Sequence, residues 1–598
     1  MTCLPPDYTE RRGDRVLLLW ADLPYWMVVD RTAARFIEAL AGGKSPSAAL
    51  DAVGGGRGFA LERDAGAVLT SLRRAGVLGG RRPRPPRERI ESISVNVTNR
   101  CNLRCRFCYN RGRKGNGSPD DGVGPDAAPA AARRLACGPS ERQEGDGGRD
   151  ESRPYGRRTA DGGRGEPRPY EHDAAALAGG GRPMGRVRPR WTAPGTVAAT
   201  RSGRSSGLEH GGEGDGSADD GVGSDAAPAG ARRLACGPSE RQEGDGGRDE
   251  SRPYGRRTAD SGRGEPRPYG RGEELGAEEM IGALESVRRQ TARGASLVLL
   301  GGEPLLEPAK TLALAAYARR RGLQAIMSTN GLLVDEAFAR EAARCGLDCQ
   351  VSVDGAGAAS HEAIRGAGTF EAALQAVRTL RAAGAHTIMS MVVHADNAHE
   401  LPDYLRLARE VGADEARFIP LKRLGGGDQC RPPDLPALVR LTAETLLAEP
   451  ELRRLVGRDH FSILANTCRL CSPRQTCGTG SQTFLLDADG TVYPCLNLAA
   501  PEFAAGSVRD EPLGRIWSAS PVLRDLRPRV RLPARPQACG QCIVRHWCLG
   551  GCRGETYAHT GRLDAPGVTC RGNRTSILET MWILSTHPEL VQVGPRYC

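Results

Sequence analysis

The chain has 598 residues and a net charge of +11, so it is long enough for several domains and only modestly basic. Such a charge does not indicate a nucleic-acid partner. Its 19 cysteines do not indicate a secreted disulfide scaffold, because such scaffolds are short and the first residues lack an apolar signal segment. No run of about 18 apolar residues occurs, so no membrane span is predicted. We therefore expect a cytoplasmic protein whose cysteines bind metal.

Residues 1 to 80 are predicted to form a small N-terminal module. Apolar runs at 15 to 20 (RVLLLW) and 25 to 30 (YWMVVD) predict the two strands of a hairpin. Three segments with helical periodicity follow, near 31 to 41, 45 to 53 and 61 to 76. This order favours a winged-helix-like module. Residues 81 to 89 (RRPRPPRER) then predict a stiff, basic linker, with a nucleic-acid patch as the alternative.

A low-complexity insertion interrupts the pattern that follows. The strand ISVNV at 93 to 97 runs into Cys101, but residues 112 to 272 are rich in Gly, Pro, Arg, Asp and Glu and show no apolar periodicity. Residues 120 to 170 recur as 219 to 269, and only three positions differ between the two copies. We interpret 112 to 272 as a duplicated, disordered insertion without a catalytic role.

Strands and helices alternate after the insertion. The predicted strands are 296 to 300, 324 to 328, 348 to 354, 386 to 394 and 415 to 421. The predicted helices are 275 to 292, 306 to 321, 334 to 345, 369 to 384 and 398 to 411. Together with the strand before Cys101, they predict an α/β fold with a partial (β/α)6 barrel over residues 90 to 425. Reactive groups are expected on the loops at the C-terminal ends of its strands.

Three cysteines, Cys101, Cys105 and Cys108, lie on the loop that leaves the first of these strands. Three thiolates can hold three irons of a cubane and leave the fourth iron open to a small ligand. Structural zinc is the alternative, but it requires four ligands and no histidine is nearby. The segment CNLRCRFCYN resembles the signature of the radical S-adenosylmethionine (SAM) superfamily, in which Phe107 corresponds to an aromatic residue near the adenine. The resemblance implies that the open iron binds SAM and that the cluster reductively cleaves it to a 5′-deoxyadenosyl radical.

Polar motifs follow the later strands in the order that this family shows. Gly301, Gly302, Glu303 and Pro304 resemble its GGEP turn, whose backbone and glutamate receive the methionine ammonium group. Further positions that the resemblance places around SAM are Ser328, Asn330, Ser352 and Asp354, with Arg365 as a partner for the methionine carboxylate. Asn-Gly and Asp-Gly turns also occur without any ligand, which is the alternative for these positions.

The region from 466 to 575 contains a second cysteine pattern. It resembles the SPASM domain, the cluster-bearing extension of many radical SAM peptide-modifying enzymes. The resemblance implies two auxiliary [4Fe–4S] clusters, and so three clusters in total. The first would be held by Cys471, Cys477, Cys495 and Cys552, with Cys468 as a substitute for Cys471. The second would be held by Cys539, Cys542, Cys548 and Cys570.

Four protein ligands at each auxiliary cluster would leave no iron open to substrate. Electron transfer or structural support is then the expected role of both clusters. Paired zinc sites are the alternative for this cysteine pattern.

The N-terminal module resembles the precursor-peptide recognition domain related to the peptide chaperone of pyrroloquinoline quinone biosynthesis (PqqD-like). The resemblance implies that a leader peptide adds as a strand to the edge of its sheet. A winged helix that reads DNA is the alternative, but basic and acidic residues nearly balance over residues 1 to 80.

These patterns predict a maturase that binds a ribosomally made precursor peptide by its leader and then crosslinks or oxidises its core. An electron donor such as a flavodoxin or ferredoxin is the other expected partner. An anaerobic sulfatase-maturase-like enzyme is the first alternative, although Leu496 stands where those enzymes commonly have a catalytic Asp. A non-catalytic, metal-stabilised regulator with a winged-helix head is the second. No catalytic acid or base is predicted.

Overall fold

The computed structural model describes residues 3 to 53, 59 to 79, 89 to 108, 273 to 456, 476 to 531 and 537 to 590. The predicted insertion lies outside these residues, as do Cys468, Cys471 and the predicted linker except its last residue. In the part that the structure describes, no helix is long and apolar enough to cross a membrane.

The N-terminal module is a three-stranded antiparallel sheet followed by helices. Its strands are β1 (Tyr8–Arg12), β2 (Arg15–Trp20) and β3 (Tyr25–Asp30), in the spatial order β1-β2-β3. Its helices are α1 (Arg31–Ala41), α2 (Pro46–Ala52) and α3 (Phe59–Arg74). The Asp30 carboxylate accepts a hydrogen bond from Ala33 N at 2.7 Å and so caps α1 where β3 ends. The hairpin and the three helices agree with the prediction, whereas β1 was not predicted.

Six parallel strands form the centre of the molecule. They are β4 (Ile90–Thr98), β5 (Thr291–Gly301), β6 (Gln324–Thr329), β7 (Asp348–Ser352), β8 (Thr387–Val393) and β9 (Glu415–Pro420). Each strand pairs in parallel with the next one along the chain, which confirms the predicted α/β class and parallel sheet. The curvature of a partial barrel stays a prediction.

Helices connect these strands. They are α4 (Ala277–Ser286), α5 (Pro308–Arg320), α6 (Glu336–Cys345), α7 (Ala358–Arg365), α8 (Thr369–Ala382), α9 (Leu401–Glu410) and α10 (Leu435–Ala448). The predicted helix over 275 to 292 is wrong beyond Ser286, because Gln290 O accepts from Ile90 N at 3.0 Å and Thr291 already pairs with Ile90 in the sheet. Helix α7 was not predicted.

The C-terminal region extends the central sheet. Strand β10 (Thr483–Leu486) pairs in parallel with β4, and β11 (Thr491–Tyr493) and β12 (Gly506–Ser507) follow in antiparallel order. The described sheet therefore has nine strands. The helices of this region are α11 (Leu513–Ala519), α12 (Pro521–Arg529), α13 (Gln537–Gly540), α14 (Arg545–Cys548), α15 (Arg553–Thr560) and α16 (Cys570–Thr586). Short 3-10 helices span Pro304–Leu306, Ala398–Glu400, Gly425–Gln429, Pro450–Leu455, Leu496–Leu498, Pro501–Phe503 and Pro588–Leu590.

Strands β2 and β3 of the N-terminal sheet are buried on both faces. Leu18 and its neighbours on one face belong to the buried cluster that α1 and α3 complete. Leu17 on the opposite face belongs to the main core, together with Ile577 and Met581 of α16. At the rim, Arg12 contacts Glu579 at 3.1 Å. Helix α16 therefore holds the module against the rest of the molecule.

The two faces of β2 provide a matched pair of variants. We expect Leu17→Ala and Leu18→Ala each to lower the free energy of unfolding by about 2–5 kcal/mol, because both side chains are fully buried. Only Leu17→Ala should speed hydrogen exchange in α16, since only Leu17 lies on the face that joins α16 in the main core. Equal protection of α16 in both variants would contradict this assignment of the two faces.

Candidate functional site

The loop that carries the three predicted cluster cysteines begins at the C-terminal end of β4 and lies directly on the GGEP turn. Gly302 N donates to Thr98 O at 2.8 Å, and Glu303 N donates to Arg100 O at 2.9 Å. A Cβ atom at Gly302 would overlap the Arg100 carbonyl oxygen, and Gly301 adopts a φ of 143° with the Thr98 carbonyl equally close. Glycine is therefore required at both positions, because the two backbones touch.

Two further elements contact the cysteine loop. Arg106 N donates to Ile364 O, near the end of α7, at 2.8 Å. Gly426 N donates to Cys108 O at 3.0 Å, and a Cβ atom at Gly426 would overlap the Arg106 carbonyl oxygen. The loop is thus fixed by backbone contacts from the ends of three different strand connections. The role of Gly426 was not predicted, because nothing in the segment GGGD distinguishes one of its glycines from the others.

The three thiols of this loop influence one another electrostatically. The pKa of Cys101 is raised to about 12, mainly by desolvation and also by the charges of Glu303, Cys105 and Cys108, and a hydrogen bond from Leu103 N opposes this rise. Desolvation also raises the pKa of Cys105, and the Arg365 guanidinium opposes this rise. Thiolates that repel one another favour a bound cation, and thiolate sulfur is a preferred ligand of iron. The donor set therefore fits an iron–sulfur cluster.

Glu303 is buried beside this loop and is 1% exposed. Its carboxylate accepts hydrogen bonds from Thr329 Oγ1 at 2.6 Å, Asn330 N at 2.8 Å and Leu305 N at 3.1 Å. Burial raises the pKa of Glu303, and these hydrogen bonds oppose that rise. Asn330 Nδ2 also donates to Asn102 Oδ1 of the cysteine loop at 2.8 Å. The ends of β5 and β6 and the cysteine loop therefore form one polar network.

Asp354 and Arg365 form a buried ion pair at the next strand end. Arg365 Nε donates to Asp354 Oδ2 at 2.5 Å, and Arg365 NH1 lies 3.9 Å from Cys105 Sγ. Phe107 packs near the His394 ring, with 6.3 Å between ring centroids. Phe107, Asp354 and Arg365 were all predicted, and the structure places them on the cysteine loop or close to residues that contact it.

The two predicted serines lie at neighbouring strand ends. Ser328 Oγ accepts from Gln350 Nε2 at 3.3 Å, and Ser352 lies in register with Ser390 of β8. Both serines are half-buried. They face the same side of the sheet as Gln350, because residues two apart on a strand share a face.

The described cysteines of the first predicted auxiliary set also lie together. The pKa of Cys495 is raised to about 12, mainly by burial and also by the thiolates of Cys552 and Cys477. Asn497 Nδ2 donates to Cys552 Sγ at 3.4 Å. Lys422, from the segment after β9, lowers the pKa of Cys552, which burial raises. Neither Asn497 nor Lys422 was predicted, since the cysteine spacing says nothing about hydrogen-bond donors to sulfur.

The second predicted auxiliary set is brought together in the same way. The pKa of Cys548 is raised to about 11, mainly by burial and also by the thiolates of Cys542, Cys570 and Cys539. Among the described residues, no group of three or more His, Cys, Asp or Glu side chains is arranged to hold a single metal ion. A cubane binds each thiolate at a different iron, so its ligands need not converge on one point as zinc ligands do.

Three separate cysteine groups, one of them at the end of a parallel strand beside a buried carboxylate, fit an iron–sulfur protein. The sequence model of the radical SAM superfamily matches residues 252–408, and that of the SPASM iron–sulfur cluster-binding domain matches residues 477–543. The first match begins at residue 252, which lies beyond Cys108 and within the predicted insertion.

Several characterised proteins are similar to this chain. The mycofactocin maturase MftC of Mycobacterium ulcerans is 34% identical over 45% of this chain and 73% of that protein. The AdoMet-dependent heme synthase of Methanosarcina barkeri is 28% identical over 44% of this chain and 79% of that protein. The PqqA peptide cyclase of Gluconobacter oxydans is 31% identical over 45% of this chain and 75% of that protein.

Among solved structures, native anSMEcpe with bound AdoMet and Cp18Cys peptide matches with a TM-score of 0.43 and 20% identity, over 52% of this chain and 90% of that chain. The two domain matches and the similarity to MftC together identify the family of this chain. The chain belongs to the radical SAM family whose members carry a SPASM domain.

The contact between the GGEP turn and the cysteine loop generates a direct test. Gly302→Ala should force the turn away from Arg100 O and lower SAM cleavage at least about tenfold, because a 1 Å misplacement can cost more than that. Gly282→Ala in α4 is the control, since a Cβ atom there meets open space. Formation of 5′-deoxyadenosine from SAM under reductant measures both variants, and equal rates would contradict the requirement for glycine.

Proposed function

We propose that this protein is a peptide maturase that cleaves SAM reductively and uses the resulting radical to crosslink or oxidise a ribosomally made precursor peptide. The proposal rests on one observation. Hydrogen bonds join the cysteine loop, the GGEP turn and the buried Glu303. A [4Fe–4S] cluster held by Cys101, Cys105 and Cys108 would supply the electron that cleaves SAM to a 5′-deoxyadenosyl radical.

The residues around the cysteine loop would orient SAM. Glu303 is positioned by three hydrogen bonds to receive the methionine ammonium group beside the backbone of Gly301, Gly302 and Pro304. Phe107 would pack near the adenine. Ser328, Asn330 and Ser352 would offer hydrogen bonds at successive strand ends, where the loops of such sheets bind ligands. Glu303 and its partners are buried, so water is excluded from the ammonium site.

Two auxiliary clusters complete the proposed cofactor set. Cys477, Cys495 and Cys552 would hold the first with Cys471, for which Cys468 is the substitute, and Cys539, Cys542, Cys548 and Cys570 would hold the second. Mutual effects on pKa within each described set support this division. An electron donor such as a flavodoxin or ferredoxin would supply the electrons in the cytoplasm.

The sequence region shared with relatives does not by itself define the substrate. Relatives of comparable identity are named for a peptide substrate in one case and for heme synthesis in another. The N-terminal module is the feature that favours a peptide, because its sheet can accept a further strand. Leu496 does not supply the carboxylate expected of a sulfatase-maturase-like enzyme, which disfavours that alternative.

The edge of β3 is the proposed attachment point for the leader. Strand β2 pairs with one edge of β3, and among the described residues no strand pairs with the other. Leu19 O accepts from Asp7 N on the β1 side, so the backbone groups of Leu18 point towards β3. Met27, the partner of Leu18, then faces β2, and the N–H and C=O groups of Val28 face the free edge.

The metal content tests the cofactor assignment. Anaerobically reconstituted protein should contain about twelve irons, and a variant with Cys101, Cys105 and Cys108 all changed to Ala should contain about eight, since one cubane of four irons is lost. Only the wild type should form 5′-deoxyadenosine from SAM. Zinc in place of iron, or no nucleoside from either protein, would remove the basis of the proposal.

The leader assignment is tested at a single backbone group. Val28→Pro removes the outward-facing N–H, and we expect it to weaken binding of a precursor peptide at least about tenfold, the effect of losing a hydrogen bond and blocking the edge. Val28→Ala is the control, because it loses similar packing but keeps the N–H. Fluorescence anisotropy of a labelled leader peptide measures both. Equal weakening by the two variants would show that the edge of β3 is not used.

A further inference from the structure

We propose that Asp354 and Arg365 form a positioning unit that holds a positive charge against the Cys105 sulfur and thereby raises the reduction potential of the cluster on the cysteine loop. This inference rests on the proposed function, because it presupposes a cluster at Cys101, Cys105 and Cys108. It assigns Arg365 to the cluster thiolate, whereas the family resemblance assigned it to the methionine carboxylate.

The guanidinium of Arg365 is held between two groups. Its side chain is 11% exposed, its Nε donates to Asp354 Oδ2 at 2.5 Å, and its NH1 lies 3.9 Å from Cys105 Sγ, within range of a weak N–H···S hydrogen bond. A guanidinium stays protonated at every accessible pH, so the cation persists next to the sulfur.

Asp354 is itself fixed from several directions. It is fully buried, and its Oδ1 accepts from Val392 N of β8 at 2.8 Å. Its backbone N donates to His361 Nδ1 at 3.1 Å, and its backbone O accepts from Asn397 Nδ2 at 3.0 Å. Burial lowers the pKa of His361 to about 4, so the imidazole is neutral at pH 7 and can accept this hydrogen bond. The carboxylate has little freedom to move away from Arg365.

The distance between Arg365 and Cys105 is set by the backbone. Arg106 N, next to Cys105, donates to the carbonyl of Ile364, next to Arg365, at 2.8 Å. This hydrogen bond joins the cysteine loop to the end of α7 at the residues next to Cys105 and Arg365. The backbone hydrogen bond therefore fixes the distance of the N–H···S contact.

A cation at this place favours the reduced state. Reduction adds one electron to the cluster and forms no bond in the protein, so the cluster with its thiolates becomes more negative by one charge. A positive charge and a hydrogen bond at a ligand sulfur stabilise that added charge and raise the potential. The effect does not require SAM, which separates it from a role in binding the methionine carboxylate.

The test is a redox titration followed by electron paramagnetic resonance in the absence of SAM. The signal to follow is the one that the triple Cys101, Cys105 and Cys108 variant lacks. The main variant, Arg365→Met with Asp354→Asn, removes both charges and so leaves no unpaired buried ion. The control, Arg381→Met with Asp414→Asn, removes an ion pair of 2.8 Å at the opposite end of the sheet.

We expect the ratio of reduced to oxidised cluster at a fixed potential to fall at least about tenfold in the main variant, which equals about 59 mV for one electron. The control should leave the ratio unchanged. Arg365→Lys keeps a charge but cannot fork onto both partners, so it should lie between the two. If the main variant holds no cluster, the ratio of reduced to oxidised cluster in the Arg365→Lys variant alone tests the inference.

Two results would overturn the inference. One is an unchanged potential in the variants together with weaker SAM binding, which would return Arg365 to the methionine carboxylate. The other is an equal fall in the control pair. Failure of the proposed function is distinguishable from both, since it would show as a wild-type protein that forms no 5′-deoxyadenosine whatever its potential.

Discussion

The rest of the site depends on the close approach of two backbones, the GGEP turn after β5 and the start of the cysteine loop after β4. Gly301 and Gly302 allow this approach because a Cβ atom at either would overlap a carbonyl oxygen of the loop. The hydrogen bond from Glu303 N to Arg100 O then fixes the Glu303 backbone next to the start of the cysteine loop. This contact gives the loop and the buried carboxylate a defined position relative to each other.

Burial makes this arrangement electrostatically demanding. Burial raises the pKa values of Cys101, Cys105 and Glu303, and the positive charge of Arg365, which Asp354 holds in place, opposes this rise at Cys105 and Glu303. A site built from mutually repelling acids is stable only when a cation neutralises them. The Arg365 guanidinium supplies part of this positive charge next to Cys105, and a bound cluster would supply the rest.

Much of this organisation is predictable from the sequence, because apolar periodicity and cysteine spacing are local signals. The six parallel strands and the helices of the N-terminal module follow from periodicity alone. Strand β1 does not, since YTERR is charged and lies at an exposed edge where no alternation is required. Helix α7 is short and enclosed by glycines, and its importance lies in a long-range contact between Ile364 and Arg106 that no local pattern encodes. The pairing of β10 with β4 is equally non-local.

The segment after β9 shows why such contacts matter for the molecule as a whole. Its Gly426 is hydrogen-bonded to Cys108 of the cysteine loop. Its Arg423 receives contacts from the C-terminal region, where the Glu555 carboxylate accepts from Arg423 N at 2.9 Å. Glu555 lies on α15, which begins next to Cys552 of the first auxiliary set. Two cysteine groups far apart in the sequence are therefore joined through one short segment.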